Sequence, residues 1–128
     1  MSLTDADEQY CYLTTTGRVS GLARTIEIWF GLVTQGNEAT AYLLAGSGEA
    51  AQWVRNLRRE PRVSLRLGER QFEARARVVD EPAEDALARR LLLEKYQPGY
   101  GSDLSSWGRT ALPVAIEFAL EREVQDPF

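Results

Sequence analysis

Thr14-Thr15-Thr16-Gly17-Arg18-Val19-Ser20-Gly21-Leu22-Ala23-Arg24 is the most informative run in the chain. Two glycines four residues apart permit a sharp bend or a close backbone approach to a ligand. Hydroxyls and two arginines surround them, and a guanidinium offers a planar fork of donors that fits phosphate or carboxylate. The run lies between two β-like segments, so it reads as a hairpin whose bend can bind an anion. As a short glycine pattern it also fits a plain turn with solvated polar residues.

Tyr10 to Thr16, before the bend, is β-branched and aromatic and reads as a strand. Arg24 to Val33, after it, reads as one second strand, with Ile26, Ile28, Phe30 and Leu32 on one face. Gln35-Gly36-Asn37 marks a turn and Ala39 to Ala45 a third strand. Glu49 to Arg59 is a helix candidate, with Ser47 as N-cap, Pro61 beyond its end, and a stripe of Ala50, Trp53, Val54 and Leu57. Arg62 to Leu67 and Gln71 to Val79 alternate around Gly68-Glu69 as a hairpin with an arginine-rich outer face. Pro82 opens a second helix that runs to about Tyr96. Gln97 to Thr110 reads as a loop, and Pro113 to Leu120 as the last strand. The expected fold is mainly β with flanking helices (α+β). It is a six-stranded, mostly antiparallel, closed or split β-barrel occupying residues 10–122, with an acidic tail at 1–9 and a short tail at 123–128.

Composition limits the chemistry. The 128 residues are 44% hydrophobic, enough for one core. The acidic start lacks the basic and apolar parts of a signal peptide, and no apolar run has the length of a membrane span, so a soluble cytoplasmic protein is expected. The absence of histidine excludes a histidine base, a Ser-His-Asp triad and histidine metal ligands. Cys11 is the single cysteine and sits in an apolar stretch, so a buried thiol is expected and no metal site. A net charge of −4 argues against nucleic acid as a partner, despite the arginine face. A chain with so few reactive groups, if it is an enzyme, borrows its chemistry from a cofactor.

The order and spacing of several motifs resemble the deazaflavin-dependent nitroreductase family, one of the flavin-binding split barrels related to pyridoxamine phosphate oxidase. Thr16, Gly17, Arg18, Ser20, Gly21 and Arg24 match its opening motif, with Val19 in place of a lysine. Trp53, Asn56 and Leu57 match its Trp-x-x-Asn-Leu. Tyr96, Pro98 and Tyr100, followed by Leu112, Pro113 and Val114, resemble its tyrosine-bearing loop and the strand after it. The resemblance implies a reductase that passes hydride from reduced coenzyme F-420 to a quinone, nitro compound or enone. It implies that Arg18, Ser20 and Arg24 hold the coenzyme's phosphate and acidic tail, with Ser47, Gly48, Glu49 and Ala50 offering backbone N–H groups. Trp53 joins the cofactor-binding set, although its helical stripe places it first in the core. Tyr96 and Tyr100 become substrate contacts, Tyr100 also a proton donor. Trp29 is a candidate ring-stacking wall or dimer surface, and a homodimer is expected.

This sequence departs from the family at Val19, at Glu27 where a proline is usual, in a shorter segment before Trp53 that lacks another lysine, and near Asp103-Leu104 where a third tyrosine is absent. Two missing cations favour FMN, with its single phosphate, as the alternative cofactor. A noncatalytic carrier of a flavin-like ligand is the other reading. Val19→Lys is expected to tighten coenzyme F-420 more than FMN, measured by fluorescence titration of each. Equal effects would show that position 19 does not face an acidic tail.

Overall fold

The computed structural model describes residues 6–124, so the ends of both expected tails lie outside the described residues. Seven strands, β1 (Cys11–Thr16), β2 (Ala23–Ile28), β3 (Gly31–Gln35), β4 (Glu38–Ala45), β5 (Arg62–Leu67), β6 (Arg70–Val78) and β7 (Leu112–Ala119), form one sheet. Among the described residues, three helices, α1 (Gln52–Arg59), α2 (Pro82–Tyr96) and α3 (Ser105–Thr110), flank it. The strand order is β2-β1-β5-β6-β7-β4-β3, and every neighbouring pair is antiparallel.

This corrects the expected count of six. The segment read as one strand from Arg24 to Val33 is two, β2 and β3, broken at Trp29-Phe30. Phe30 leaves the ladder because α2 satisfies its backbone instead. Its N–H donates to Tyr96 Oη at 2.9 Å, and its carbonyl accepts from Lys95 Nζ at 3.0 Å. The Tyr96 hydroxyl has the Gln9 carbonyl as its acceptor at 2.8 Å. A backbone pair that gains such partners can be buried without a strand neighbour, and Phe30 is fully buried.

The break decides the architecture. β2 and β3 are the two outer edges of the sheet, yet Ile28 and Gly31 are three residues apart. Three residues reach about 10 Å, so the sheet curls until its edges almost meet. The result is a barrel split along one seam, with the chain itself crossing the gap.

The curl separates two cores. Cys11, Leu13, Leu43, Leu65, Phe72 and Ile116 point inward, and Val54 and Leu57 of α1 plug one end. Outside the barrel, Ala88, Leu92 and Tyr96, one helical turn apart, lay α2 on Tyr42, Leu44 and Ala115. β4 and β7 are therefore buried on both faces, which is why Ala115 reads as core although it points away from Val114 and Ile116.

α2 starts at Pro82 as expected. Glu81 caps it, its carboxylate accepting from the N–H groups of Ala83 and Glu84 at 3.1 and 2.7 Å. Ser47, expected to cap the first helix, makes no such bond. A 3-10 turn over Gly48–Ala50 intervenes, and α1 begins at Gln52. The segment expected as loop, 97–110, contains α3. Its start is set by Asp103, which accepts from the Ser105 N–H at 2.9 Å. α3 lies close on α2 because Gly108 has no side chain. A Cβ there would stand 2.7 Å from Leu93 Cδ1.

The outer arginines are solvated or paired, as the alternation implied. Arg62 meets Glu60 at 3.1 Å, Arg77 bridges Glu84 and Glu117 at 2.7 and 3.1 Å, and Arg66 lies 4.0 Å over the Tyr12 ring. Cys11 is buried, and burial pushes its thiol up to about 12, which removes it as a nucleophile.

Lys95 is the exception. Its Nζ also lies 3.6 Å over the Phe30 ring, and burial pulls its ammonium down to about 8 despite these contacts. The folded protein thus gives up the Lys95 proton near pH 8, while the unfolded chain keeps it up to about 10.4. Above pH 8 the unfolded state binds more protons, so this group adds stability as pH rises. In urea titrations from pH 7.5 to 10, the wild type is expected to gain stability relative to Lys95→Met. A constant difference would show that Lys95 titrates normally.

Candidate functional site

A groove of about 470 Å³ opens between the Gly17–Gly21 bend and the first turn of α1. Strand periodicity explains what reaches it. Thr15, Leu13 and Cys11 of β1 face the interior, and their partners across the ladder are Arg24, Ile26 and Ile28. Arg24 is therefore the charged last member of an apolar, inward-facing row. It stands at the mouth of the barrel rather than on the solvated outer face.

The bend itself is tightly built. Gly17 N–H donates to the Leu22 carbonyl and Gly21 N–H to the Gly17 carbonyl, both at 2.8 Å. Gly21 has φ +74°, a left-handed conformation that disfavours side chains. A Cβ on Gly17 would stand 2.8 Å from Ser20 Oγ and 3.1 Å from the Leu22 carbonyl. Ser20 Oγ accepts from Leu22 N–H at 3.1 Å, which leaves its own proton available to a ligand.

Asn56 anchors this bend to α1. Its Oδ1 accepts from Arg18 N–H at 3.2 Å and from Arg18 Nη1 at 3.0 Å. Its Nδ2 donates to Thr15 Oγ1 at 3.2 Å. Asn56 and Thr15 are the two polar side chains buried among the described residues, at 4% and 2% exposure. One amide thus holds the Arg18 backbone, aims its guanidinium, and satisfies the hydroxyl below the groove.

The cationic lining is only partly spent. Arg18 uses one nitrogen on Asn56, and no hydrogen bond or ion pair engages Arg24 among the described residues. Two guanidiniums and one hydroxyl proton facing a common space are a donor set that fits a phosphate. Trp53 adds an apolar wall, partly buried against the inner core and partly facing the groove.

A second hollow, of about 440 Å³, lies further along β2. Trp29 and Ile28 form its floor, with Tyr100 and Trp107 around them. Trp29 stacks on Tyr96 at 4.3 Å between centroids and 5° between planes. Tyr100 and Trp107 meet it edge-on at 5.5 and 5.6 Å. From Arg24 to Ile28 the strand rises about 13 Å, so the groove and the hollow occupy successive stretches of one edge strand.

Arg18, Ser20, Arg24 and Trp53, expected together, do share one groove. Ser47, Gly48, Glu49 and Ala50 do not line it; the helix contributes Gln52 and Trp53 instead. Ala50 N–H donates to the Ser47 carbonyl at 3.1 Å, and Glu49 pairs with Arg58 at 2.7 Å. Tyr96 is 4% exposed, with its hydroxyl engaged by backbone, and burial pushes that phenol up to about 12. It stands behind Trp29, whereas Tyr100 is at the surface. Asn56 was legible only as a motif position, although a polar residue within the apolar stripe of Trp53, Val54 and Leu57 is itself a signal. Trp107 carried no periodic signal.

Residues 4–119 match the model of the F-420H(2)-dependent quinone reductase family. The chain belongs to this family. The coenzyme expected from the sequence is the family's own, and an F-420-dependent reductase function follows. Solved structures agree on the fold. A conserved hypothetical protein from Mycobacterium tuberculosis is 23% identical with a TM-score of 0.66, over 96% of this chain and 82% of that one. An F-420-H2 dependent reductase is 21% identical with a TM-score of 0.64, over 86% and 94%. A pyridoxamine 5'-phosphate oxidase candidate from Listeria innocua is 16% identical with a TM-score of 0.57, over 96% and 90%. These likenesses establish the split-barrel architecture. No curated protein matches.

Asn56→Ala is expected to cost about 1–3 kcal/mol of folding stability, because it strands a buried hydroxyl and the Arg18 N–H. Denaturant unfolding measures this, and a change below about 0.5 kcal/mol would show that water replaces the amide without loss.

Proposed function

We propose that this member of the family reduces a planar, electron-poor acceptor of the quinone class, held in the Trp29 hollow next to coenzyme bound in the Arg24 groove. The observation that carries the proposal is the pairing of an arginine-lined groove with an aromatic hollow at successive stretches of one sheet edge, from Arg24 to Trp29. Bound in its reduced form, coenzyme F-420 supplies the hydride.

The chain's own residues bind, orient and exclude water. Arg24 and Arg18 donate to the phosphate end, and the Ser20 hydroxyl adds a third donor. The rigid bend fixes these donors before the ligand arrives, so little ordering is lost on binding. Trp53 covers one side of the groove. Trp29, locked by Tyr96 beneath it, gives the acceptor a flat apolar surface, Trp107 walls it, and Glu27, whose carboxylate accepts from the Tyr12 hydroxyl, lines one side. Tyr100 stands at the rim, where its hydroxyl can pass a proton to the reduced acceptor. Nitro compounds and enones share the acceptor's planarity and electron demand and are the further substrates of this reading. The homodimer expected from the resemblance is part of it, and sedimentation would test it. One structural relative, 22% identical, is a domain-swapped dimer.

The test is turnover. Coenzyme F-420 reduced in advance is mixed with the protein and a naphthoquinone, and reoxidation is followed by absorbance. Binding without turnover of any acceptor class would support a carrier. Arg24→Ala is expected to weaken coenzyme binding by about 1.5–3 kcal/mol, the scale of a charged hydrogen bond. Unchanged affinity in the folded variant would remove Arg24 from the site.

A further inference from the structure

The Gly17–Gly21 bend has two sides. The groove described above lies on one. On the other is a separate depression of about 370 Å³, lined by Thr16, the bend itself, Arg59 and Glu60. Gly17, Arg18, Val19 and Ser20 are common to both, so the bend is a ridge between two hollows.

The charges in the second depression are unevenly spent. Glu60 is bound by Arg62, through Nη2 at 3.1 Å and through backbone N–H at 3.2 Å, and Arg62 holds its carboxyl below the usual range. Arg59 has no hydrogen bond or ion pair among the described residues, although its helix neighbour Arg58 is paired with Glu49. Arg59 ends α1, where a cation complements the helix dipole. Each hollow therefore has one uncommitted arginine of its own, Arg24 or Arg59, and shares Arg18 on the ridge between them. A ligand with a single anionic group satisfies one hollow. A ligand with two separated anionic groups can satisfy both by crossing the ridge at Val19, which is 92% exposed and presents no charge to oppose the passage.

We infer that the depression at Arg59 is a second anion subsite, which takes a carboxylate of the same ligand whose phosphate lies at Arg24. This rests on the coenzyme reading above. It assigns Arg59 to the acidic tail of the deazaflavin, and so makes Arg59 a determinant of selectivity for that coenzyme over FMN. It also supplies a cation near the position where Val19 replaces the lysine of the family motif, from a helix rather than from the bend.

The test uses three probes: coenzyme F-420 with its acidic tail, a deazaflavin lacking the tail, and FMN. Dissociation constants are measured by fluorescence for wild type, Arg59→Ala and Arg59→Lys, at low and at 0.3 M salt. The expected result is that Arg59→Ala weakens the tailed coenzyme about three- to tenfold at low salt, the range of an exposed ion pair or charged hydrogen bond. The tailless deazaflavin and FMN change less than about twofold, Arg59→Lys retains most of the affinity, and high salt shrinks the difference. Equal loss for all three probes, or none for the tailed coenzyme, would overturn the inference and leave the groove at Arg24 standing. Failure of the wild type to bind either deazaflavin would overturn the coenzyme reading itself, and the subsite with it. Thermal melts of both variants separate these outcomes from a folding defect.

Discussion

Two residues, Trp29 and Phe30, join opposite edges of a seven-stranded sheet. That short tether forces the curl, and the curl creates an interior to plug, a mouth to guard and an outer face for α2. The tether holds because Tyr96 and Lys95 satisfy the Phe30 peptide groups with side-chain partners from α2. The same Tyr96 stacks under Trp29 and so fixes the floor of the aromatic hollow. Fold closure and site geometry thus rest on one cluster at the end of one helix.

The second organising contact is smaller. Asn56 reaches across from α1 and holds the glycine bend through Arg18 and Thr15. The six residues that connect β1 to β2, with Val19, Gly21 and Leu22 exposed, bury little apolar surface of their own. Tied to a helix that is itself anchored in the barrel, they become a rigid display of donors. Family membership gives the chain a coenzyme, and the proposal seats it at this bend. The physical reason the place suits it is that donors are fixed, only partly spent, and set at the end of an apolar row.

Much of the fold was legible in the residues. Period-two alternation located β1, β5, β6 and β7 closely, because each has one face in a core. Pro82 fixed the start of α2, since proline suits a first helical turn. The break at Trp29-Phe30 was not legible. Ile26, Ile28, Phe30 and Leu32 keep their alternation across it, and the partners that replace the ladder lie 65 and 66 residues further along the chain. α3 escaped for a similar reason: its glycine and serines read as loop, and the packing that holds it, Gly108 close against Leu93 of α2, comes from a residue outside the segment. Within the site, Arg18, Ser20 and Arg24 were legible as a local run, while Ser47 to Ala50 were drawn in by a helix start that the structure places at Gln52.

By itself the sequence determined what could be done: no histidine, a single thiol, donors clustered at a glycine bend, and hence chemistry that an enzyme of this composition takes from a cofactor. Those are properties of residue type and near-neighbour spacing, which the chain carries into any fold. The tertiary structure decided which donors are unspent, which tyrosine is a prop and which stands at the surface, and that the bend has two sides. Those depend on partners distant in the chain, and only packing brings such partners within hydrogen-bonding or stacking range.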